Sequence, residues 1–100
     1  MRILMIVQFD TEMFNAAAKD GSVGAKMHRI LDSLKPESAY FIEIGGVRTG
    51  VMVVNMESAS QIPSAAEPWF LTFNAKVTMH PAMTPADLGA AGLEAIGKLW

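Results

Sequence analysis

Three segments of the chain are apolar at almost every position, which is typical of strands that are buried on both faces. They cover residues 3–7, 40–44 and 51–54. A strand with one wet face would instead alternate apolar and polar residues. A chain of 100 residues has too few helices to cover both faces of a sheet. The pattern therefore predicts that a second copy of the chain covers one of them.

The rest of the pattern predicts a fourth strand and four helices. The predicted strands cover residues 2–9, 38–44, 47–56 and 75–80. The predicted helices cover residues 11–20, 22–34, 67–73 and 84–100. Gly45 and Gly46 form a tight turn between the second and third strands. Pro68 is expected in the first turn of the third helix, and Thr84 as the N-cap of the last.

This order of elements predicts an α+β fold in one domain spanning residues 1–100. The succession β-α-β-β-α-β with a C-terminal helix is the ferredoxin-like arrangement, in which a four-stranded antiparallel sheet carries its helices on one face. We expect the open face to be largely apolar and to pair with a partner sheet. Its expected apolar residues are Leu4, Ile6, Phe41, Met52 and Val54.

Composition narrows the function classes. The formal net charge is −2 and the basic residues are scattered, so neither nucleic acid nor a membrane surface is an expected partner. The chain has no cysteine, which excludes disulfides, thiolate nucleophiles and cysteine-ligated metals. The apolar N-terminal stretch ends at Gln8 without a cleavage pattern, so we expect a cytoplasmic protein.

In its element order the chain resembles the dimeric α/β-barrel superfamily, in which two ferredoxin-like protomers pair their sheets. Residues 61–70 and 80–88 are similar to small uncharacterised bacterial proteins of that group. The resemblance implies a homodimer and a range of activities that includes cofactor-free monooxygenases, isomerases, cyclases and haem-degrading enzymes. The Asn-Phe-Trp pattern of the monooxygenases and the N-terminal His-Asp pair of the YCII-like proteins are both missing.

Strand parity offers one candidate catalytic set. If Leu4, Ile6 and Gln8 face the barrel interior, Glu43 and His80 are expected to join Gln8 near one mouth of an apolar cavity. Histidine exchanges protons near neutral pH, so His80 would act as acid and base while Glu43 orients it. The alternative is that both side chains are wet at strand ends.

Four residues are candidate ligand contacts. Gln8 and Tyr40 would position a substrate, Trp69 would line an aromatic pocket, and Arg48 would reach a carboxylate or the partner subunit. Trp69 has an alternative role as a core residue that docks its helix. His28 lies off the apolar stripe, and its spacing from His80 does not indicate a metal site.

Two functions remain open at this point. The first is a cytoplasmic bacterial homodimer that binds a small apolar or aromatic molecule, with cyclase, isomerase or monooxygenase chemistry that needs no cofactor. The second is a non-catalytic module for ligand binding, stress response or assembly. An enclosed pocket that contains Glu43 or His80 would favour the first, and a solidly packed barrel the second.

Overall fold

The computed structural model describes all 100 residues and shows an α+β protein. The strands are β1 (Arg2–Gln8), β2 (Ser38–Ile44), β3 (Val47–Asn55) and β4 (Lys76–Pro81). The helices are α1 (Thr11–Asp20), α2 (Val23–Leu34), α3 (Ile62–Phe73), α4 (Pro85–Ala90) and α5 (Leu93–Leu99). A 3₁₀ turn over Ala59–Gln61 leads into α3.

The four strands form one antiparallel sheet in the order β2-β3-β1-β4. In the β2–β3 hairpin Ile44 lies opposite Val47, with Gly45 at φ 59° and Gly46 at φ 79°. Both glycines are in the left-handed region that a two-residue hairpin turn requires, so the predicted turn is confirmed. In the centre of the sheet Met5 of β1 is paired with Met52 of β3 and with Met79 of β4.

The hydrophobic core lies between one face of the sheet and helices α1 to α3. Ile3, Met5 and Val7 alternate along β1 and are all buried. Trp69 and Phe73, one turn apart on α3, pack into the same cluster. We refer to this face as the helix side of the sheet, and to the other as the open face.

The predicted composition of the open face was partly wrong. Leu4 and Ile6 do lie there, but Phe41, Met52 and Val54 lie on the helix side, where Met52 and Val54 are buried. The register between β1 and β3 places Met52 opposite Met5, and opposite residues of paired strands share a face. A shift of one residue in that register would exchange the two faces.

Helix α3 is longer than predicted. It begins at Ile62, so Pro68 lies inside the helix and not in its first turn. Pro63 occupies the early position that suits proline, and Ala65, Ala66, Trp69 and Phe73 are buried along one side. Burial of this long face offsets the hydrogen bond that Pro68 cannot donate. Asn74 ends the helix at φ 48°, the left-handed cap expected of that residue type.

The predicted C-terminal helix is interrupted. Gly92, at φ 73°, separates α4 from α5. All residues from 85 to 100 are exposed, and we call this segment the C-terminal arm. The molecule measures 59 × 29 × 19 Å with a radius of gyration of 16.7 Å. A compact chain of this length has a radius of gyration of about 13 Å, so the arm projects away from the body.

None of the helices is both long and apolar enough to cross a membrane.

Candidate ligand cavity

A cavity of about 420 Å³ opens on the helix side of the sheet, beside the β2–β3 hairpin. It lies between the sheet and the facing parts of α1 and α2. Six of the nine residues that line it are hydrophobic, and three of these are phenylalanines. The lining residues are Phe9, Phe14, Val23, Gly24, Met27, Phe41, Ile42, Arg48 and Thr49.

The aromatic wall of the cavity belongs to a larger aromatic cluster. Phe9 meets Phe14 edge to face at 5.2 Å between ring centroids, and stacks on Phe41 at 6.5 Å. Behind the wall, Phe9 also contacts Phe73 at 5.2 Å and Trp69 at 5.8 Å. Phe9 is itself buried, and its oriented ring pairs make it a rigid support for Phe14 and Phe41, which keep accessible ring surface.

Local capping positions the first turn of α1 at this wall. The Asp10 carboxylate accepts a hydrogen bond from the Met13 backbone N–H at 3.0 Å and caps the helix. Phe14 follows in the next position and faces the cavity. Phe9 directly follows β1 and Phe14 lies in the first turn of α1, so one short stretch of chain supplies two of the three phenylalanines.

Helix α2 supplies the opposite wall through Val23 and Met27, which are four residues apart and so share one side of the helix. The turn before it is held by Asp20, whose carboxylate accepts the Ser22 backbone N–H at 2.8 Å. Hydrogen bonds from Ser22 lower the pKa of Asp20 below its usual value. Gly21, at φ 82°, ends α1 and permits the change of direction.

Arg48 is the only charged residue of the lining. Its Nη1 donates a hydrogen bond to Asn15 Oδ1 at 2.8 Å, and its guanidinium lies 4.5 Å from the centre of the Phe14 ring. Glu43 lies opposite Arg48 on the neighbouring strand, but its carboxylate accepts the Gly46 backbone N–H at 2.8 Å. Arg48 therefore forms no ion pair, unlike Arg2, which pairs with Glu37 at 3.0 Å.

The structure does not bring the predicted catalytic residues together. His80 lies opposite Leu4, whereas Gln8 lies opposite Lys76 near the other end of the sheet. Four strand positions separate these sites, a distance of about 13 Å along β1. Glu43 lies on the helix side with Arg48, while Gln8 and His80 lie on the open face. The expected convergence of Gln8, Glu43 and His80 within one chain is therefore wrong.

The other predicted contacts lie in three different environments. Arg48 lines the cavity, Tyr40 is exposed on the open face, and Trp69 is completely buried. Trp69 therefore takes the alternative role of a core residue behind Phe9, and its indole Nε1 is buried without a hydrogen-bond partner. His28 is exposed on α2. No three histidine, aspartate or glutamate side chains are grouped closely enough to hold a metal ion.

Sequence reasoning missed most of the cavity. The predicted elements place Phe9 at the end of a strand and Phe14, Val23 and Met27 on two helices, and no motif groups the four. The spacing of Val23 and Met27 was visible, but an apolar pair on a helix marks a core face as often as a pocket. Only the packing shows that α2 leaves a gap over the hairpin.

Comparisons with known proteins add little to this description. The chain matches no protein-family model and no curated protein sequence. Among solved structures, the de novo designed protein Ferredog-Diesel is similar over 80% of this chain and 83% of its own, with 14% identity and a TM-score of 0.39. A likeness this weak carries no functional argument.

Proposed function

We propose that this protein binds a small aromatic or otherwise apolar organic acid in the cavity beside the β2–β3 hairpin. The observation that carries the proposal is an aromatic wall next to an arginine that has no carboxylate partner. The cavity volume of about 420 Å³ falls within the range of about 300–1,000 Å³ that is usual for small-molecule sites. Ring stacking on Phe14 and Phe41, which both keep accessible ring surface, would supply most of the contact area.

Arg48 supports an anionic ligand in particular. Asn15 and Phe14 hold the guanidinium in one position, yet only its Nη1 donates a hydrogen bond within the protein. The remaining N–H groups are free to donate to a planar acceptor such as a carboxylate, which an arginine can bind through two parallel hydrogen bonds. A fixed guanidinium loses less side-chain entropy on binding than a mobile one.

The chemistry of the lining supports binding without turnover. Apart from Arg48, the polar side-chain group among the lining residues is the Thr49 hydroxyl, which donates to the Val47 carbonyl at 2.9 Å. Neither His80 nor Glu43 belongs to the cavity. Of the two functions left open by the sequence, the non-catalytic ligand-binding module is therefore the one that this geometry favours.

The wider classification is part of the same proposal. We place the chain among ferredoxin-like proteins that form homodimers through the open face, in a bacterial cytoplasm. The strand order β2-β3-β1-β4 and the partly exposed apolar residues of the open face support this placement. The ligand cavity is on the helix side, so a dimer of this kind would leave it accessible.

Calorimetric titration with 2-naphthoate, and with the neutral 2-naphthamide, tests the binding function. We expect Arg48→Gln to weaken naphthoate binding by about tenfold or more, because a hydrogen bond to a charged group contributes about 1.5–3 kcal/mol. Naphthamide affinity should change much less. Arg29→Gln is the matched control, since Arg29 is an exposed α2 residue outside the cavity.

Two results would contradict the proposal. One is the absence of naphthoate binding to the unmodified protein at millimolar concentration. The other is equal naphthoate affinity in the Arg48→Gln and Arg29→Gln variants, which would place the anion away from Arg48.

A further inference from the structure

The C-terminal arm presents an apolar surface that nothing in its own chain covers. Leu93 and Ile96 on α5, and Trp100 at its C-terminal cap, fall on one side by helical spacing, and all are exposed. The opposite side carries Glu94 and Lys98, whose charged groups lie 3.5 Å apart. The arm is therefore amphipathic, although neither side is packed against the protein.

The arm helices are also too short to be stable in water by themselves. Helix α4 has 6 residues and α5 has 7. Isolated helices shorter than about 12–15 residues are marginal even in favourable sequences. A capping box, with Thr84 N–H donating to Asp87 at 2.9 Å and Asp87 N–H to Thr84 at 3.1 Å, supports only the first turn. The folded arm therefore needs a surface to pack against.

The open face of the sheet offers a surface of matching width. Its apolar residues lie on β1, β2 and β3 and include Leu4, Ile6, Tyr40, Ile42, Val51 and Val53. The β4 edge is polar, with Lys76, Thr78 and His80. Three strands span about 10 Å, which is close to the diameter of one α-helix with its side chains.

We propose that the C-terminal arm of each chain packs on the apolar strands of the open face of a second copy, and that two chains exchange arms reciprocally. This inference does not rest on the ligand cavity, which lies on the helix side and shares only Ile42 with these apolar residues. Exchange covers both unpartnered apolar surfaces at once. Stacking of two whole sheets would instead bury Lys76 and His80 and leave the arm bare.

The base of the arm favours a partner over the chain's own sheet. The Ala82 N–H donates to the Arg2 carbonyl at 3.0 Å, which extends the β4 pairing past the end of the strand. Asp87 lies beside Arg2 at that same end of the sheet. From residue 85 onward every residue of the arm is exposed, so the arm is not packed on its own open face.

The area that two exchanged arms can bury also favours a second copy as the partner. An arm of 16 residues in helical form is about 24 Å long and about 10 Å wide. Each docked arm covers about 240 Å² of its own surface and the same area of the sheet. Two docked arms therefore remove about 1,000 Å² from water, without counting the extra area of protruding side chains. This reaches the size of about 1,000 Å² that a specific interface needs. One arm alone would provide half of it.

The test uses the full chain and its two tryptophans. Trp69 is completely buried and Trp100 completely exposed in the single chain, so subtracting the signal of Trp100→Phe isolates the arm. Light scattering should give twice the 10.8 kDa mass of one chain. Acrylamide should quench Trp100 poorly in the dimer and more strongly as dilution releases single chains.

A pair of charge-matched variants separates arm exchange from other contacts. Ile96→Glu and Lys98→Gln each lower the net charge by one unit, but on opposite sides of α5. We expect Ile96→Glu to raise the dimer dissociation constant by about tenfold or more, because a carboxylate in an apolar contact is strongly disfavoured. Lys98→Gln should leave it within about twofold, as for an exposed charge.

Three outcomes would overturn the proposal. A dimer unaffected by Ile96→Glu, with Trp100 fully quenched, would show that the sheets pair without the arm. A single chain with Trp100 protected at every dilution would show that the arm folds onto its own sheet. A single chain with Trp100 freely quenched at every concentration would show that the arm stays unpacked.

Discussion

Met5 and Val7 are completely shielded from water on the helix side of β1, whereas Leu4 and Ile6, on the open face of the same strand, remain partly exposed. Both pairs are equally apolar. The difference comes from what covers them, since three helices pack on one face and none on the other. The β1 sequence is apolar on both faces, but a single chain buries only one of them.

The largest effect is expected from a substitution in the core on the helix side. Trp69→Ala should lower the free energy of unfolding by about 3–5 kcal/mol, because it removes a fully buried ring and leaves a cavity. Leu71→Ala, on the exposed side of the same helix, should stay within about 0.5 kcal/mol. Urea unfolding of both variants measures the difference, and similar losses for the two would contradict the assignment of the core.

Alanine substitutions on the two faces of β1 should differ in their dependence on protein concentration. Met5→Ala should cost about 2–5 kcal/mol at any protein concentration, because Met5 is buried within one chain. Ile6→Ala should cost less, and its cost should grow with protein concentration if the proposed partner buries this face in a dimer. Urea unfolding at two widely separated concentrations measures both. A cost for Ile6→Ala that does not depend on concentration would argue against a covered open face.

Features of the fold that depend on neighbouring residues could be predicted from the sequence, whereas those that depend on residues far apart in the chain could not. Gly45 and Gly46 fixed the β2–β3 hairpin, so Phe41, Met52 and Val54 were correctly grouped on one face. Which face they share with β1 depends on the pairing of Ile3 with Val54, across more than fifty residues of chain. No turn specifies that register, and a one-residue error exchanges the faces.

The candidate site was harder to predict for a similar reason. Arg48 was named because a hairpin arginine can reach a carboxylate, but its support by Asn15 and Phe14 depends on how α1 packs. In the proposed group, Glu43 was assigned to the face of Gln8 through the same β1–β3 register, whereas His80 shares that face but lies opposite Leu4, four positions away. The Thr84 cap predicted where the last helix begins, but the break at Gly92 was not predicted.

A smaller effect is expected at the break in the C-terminal arm. Gly92→Ala places a side chain at φ 73°, which costs an L residue about 1 kcal/mol in the left-handed region. Because the arm makes no contribution to the core, unfolding of the body should change little. The proposed dimer should weaken by several-fold, measured by light scattering on dilution, because the angle between α4 and α5 changes. Unchanged association would show that this angle is irrelevant.

The smallest effect concerns the cap of α4. Hydrogen bonds from the Thr84 backbone N–H and hydroxyl lower the pKa of Asp87 below its usual value. A lowered pKa in the folded state means that the contribution is present above the unfolded pKa and is lost as pH falls through the folded one. The Leu88 amide signal should therefore shift in acid, below about pH 4. In Asp87→Asn the shift should disappear, and its persistence would contradict the capping role.

Sedimentation equilibrium of the unmodified protein in dilute buffer tests most directly whether one chain can cover its own open face and arm. The account predicts a mass of twice 10.8 kDa at micromolar concentration, with dissociation on further dilution. A mass of one chain throughout the accessible concentration range would contradict it.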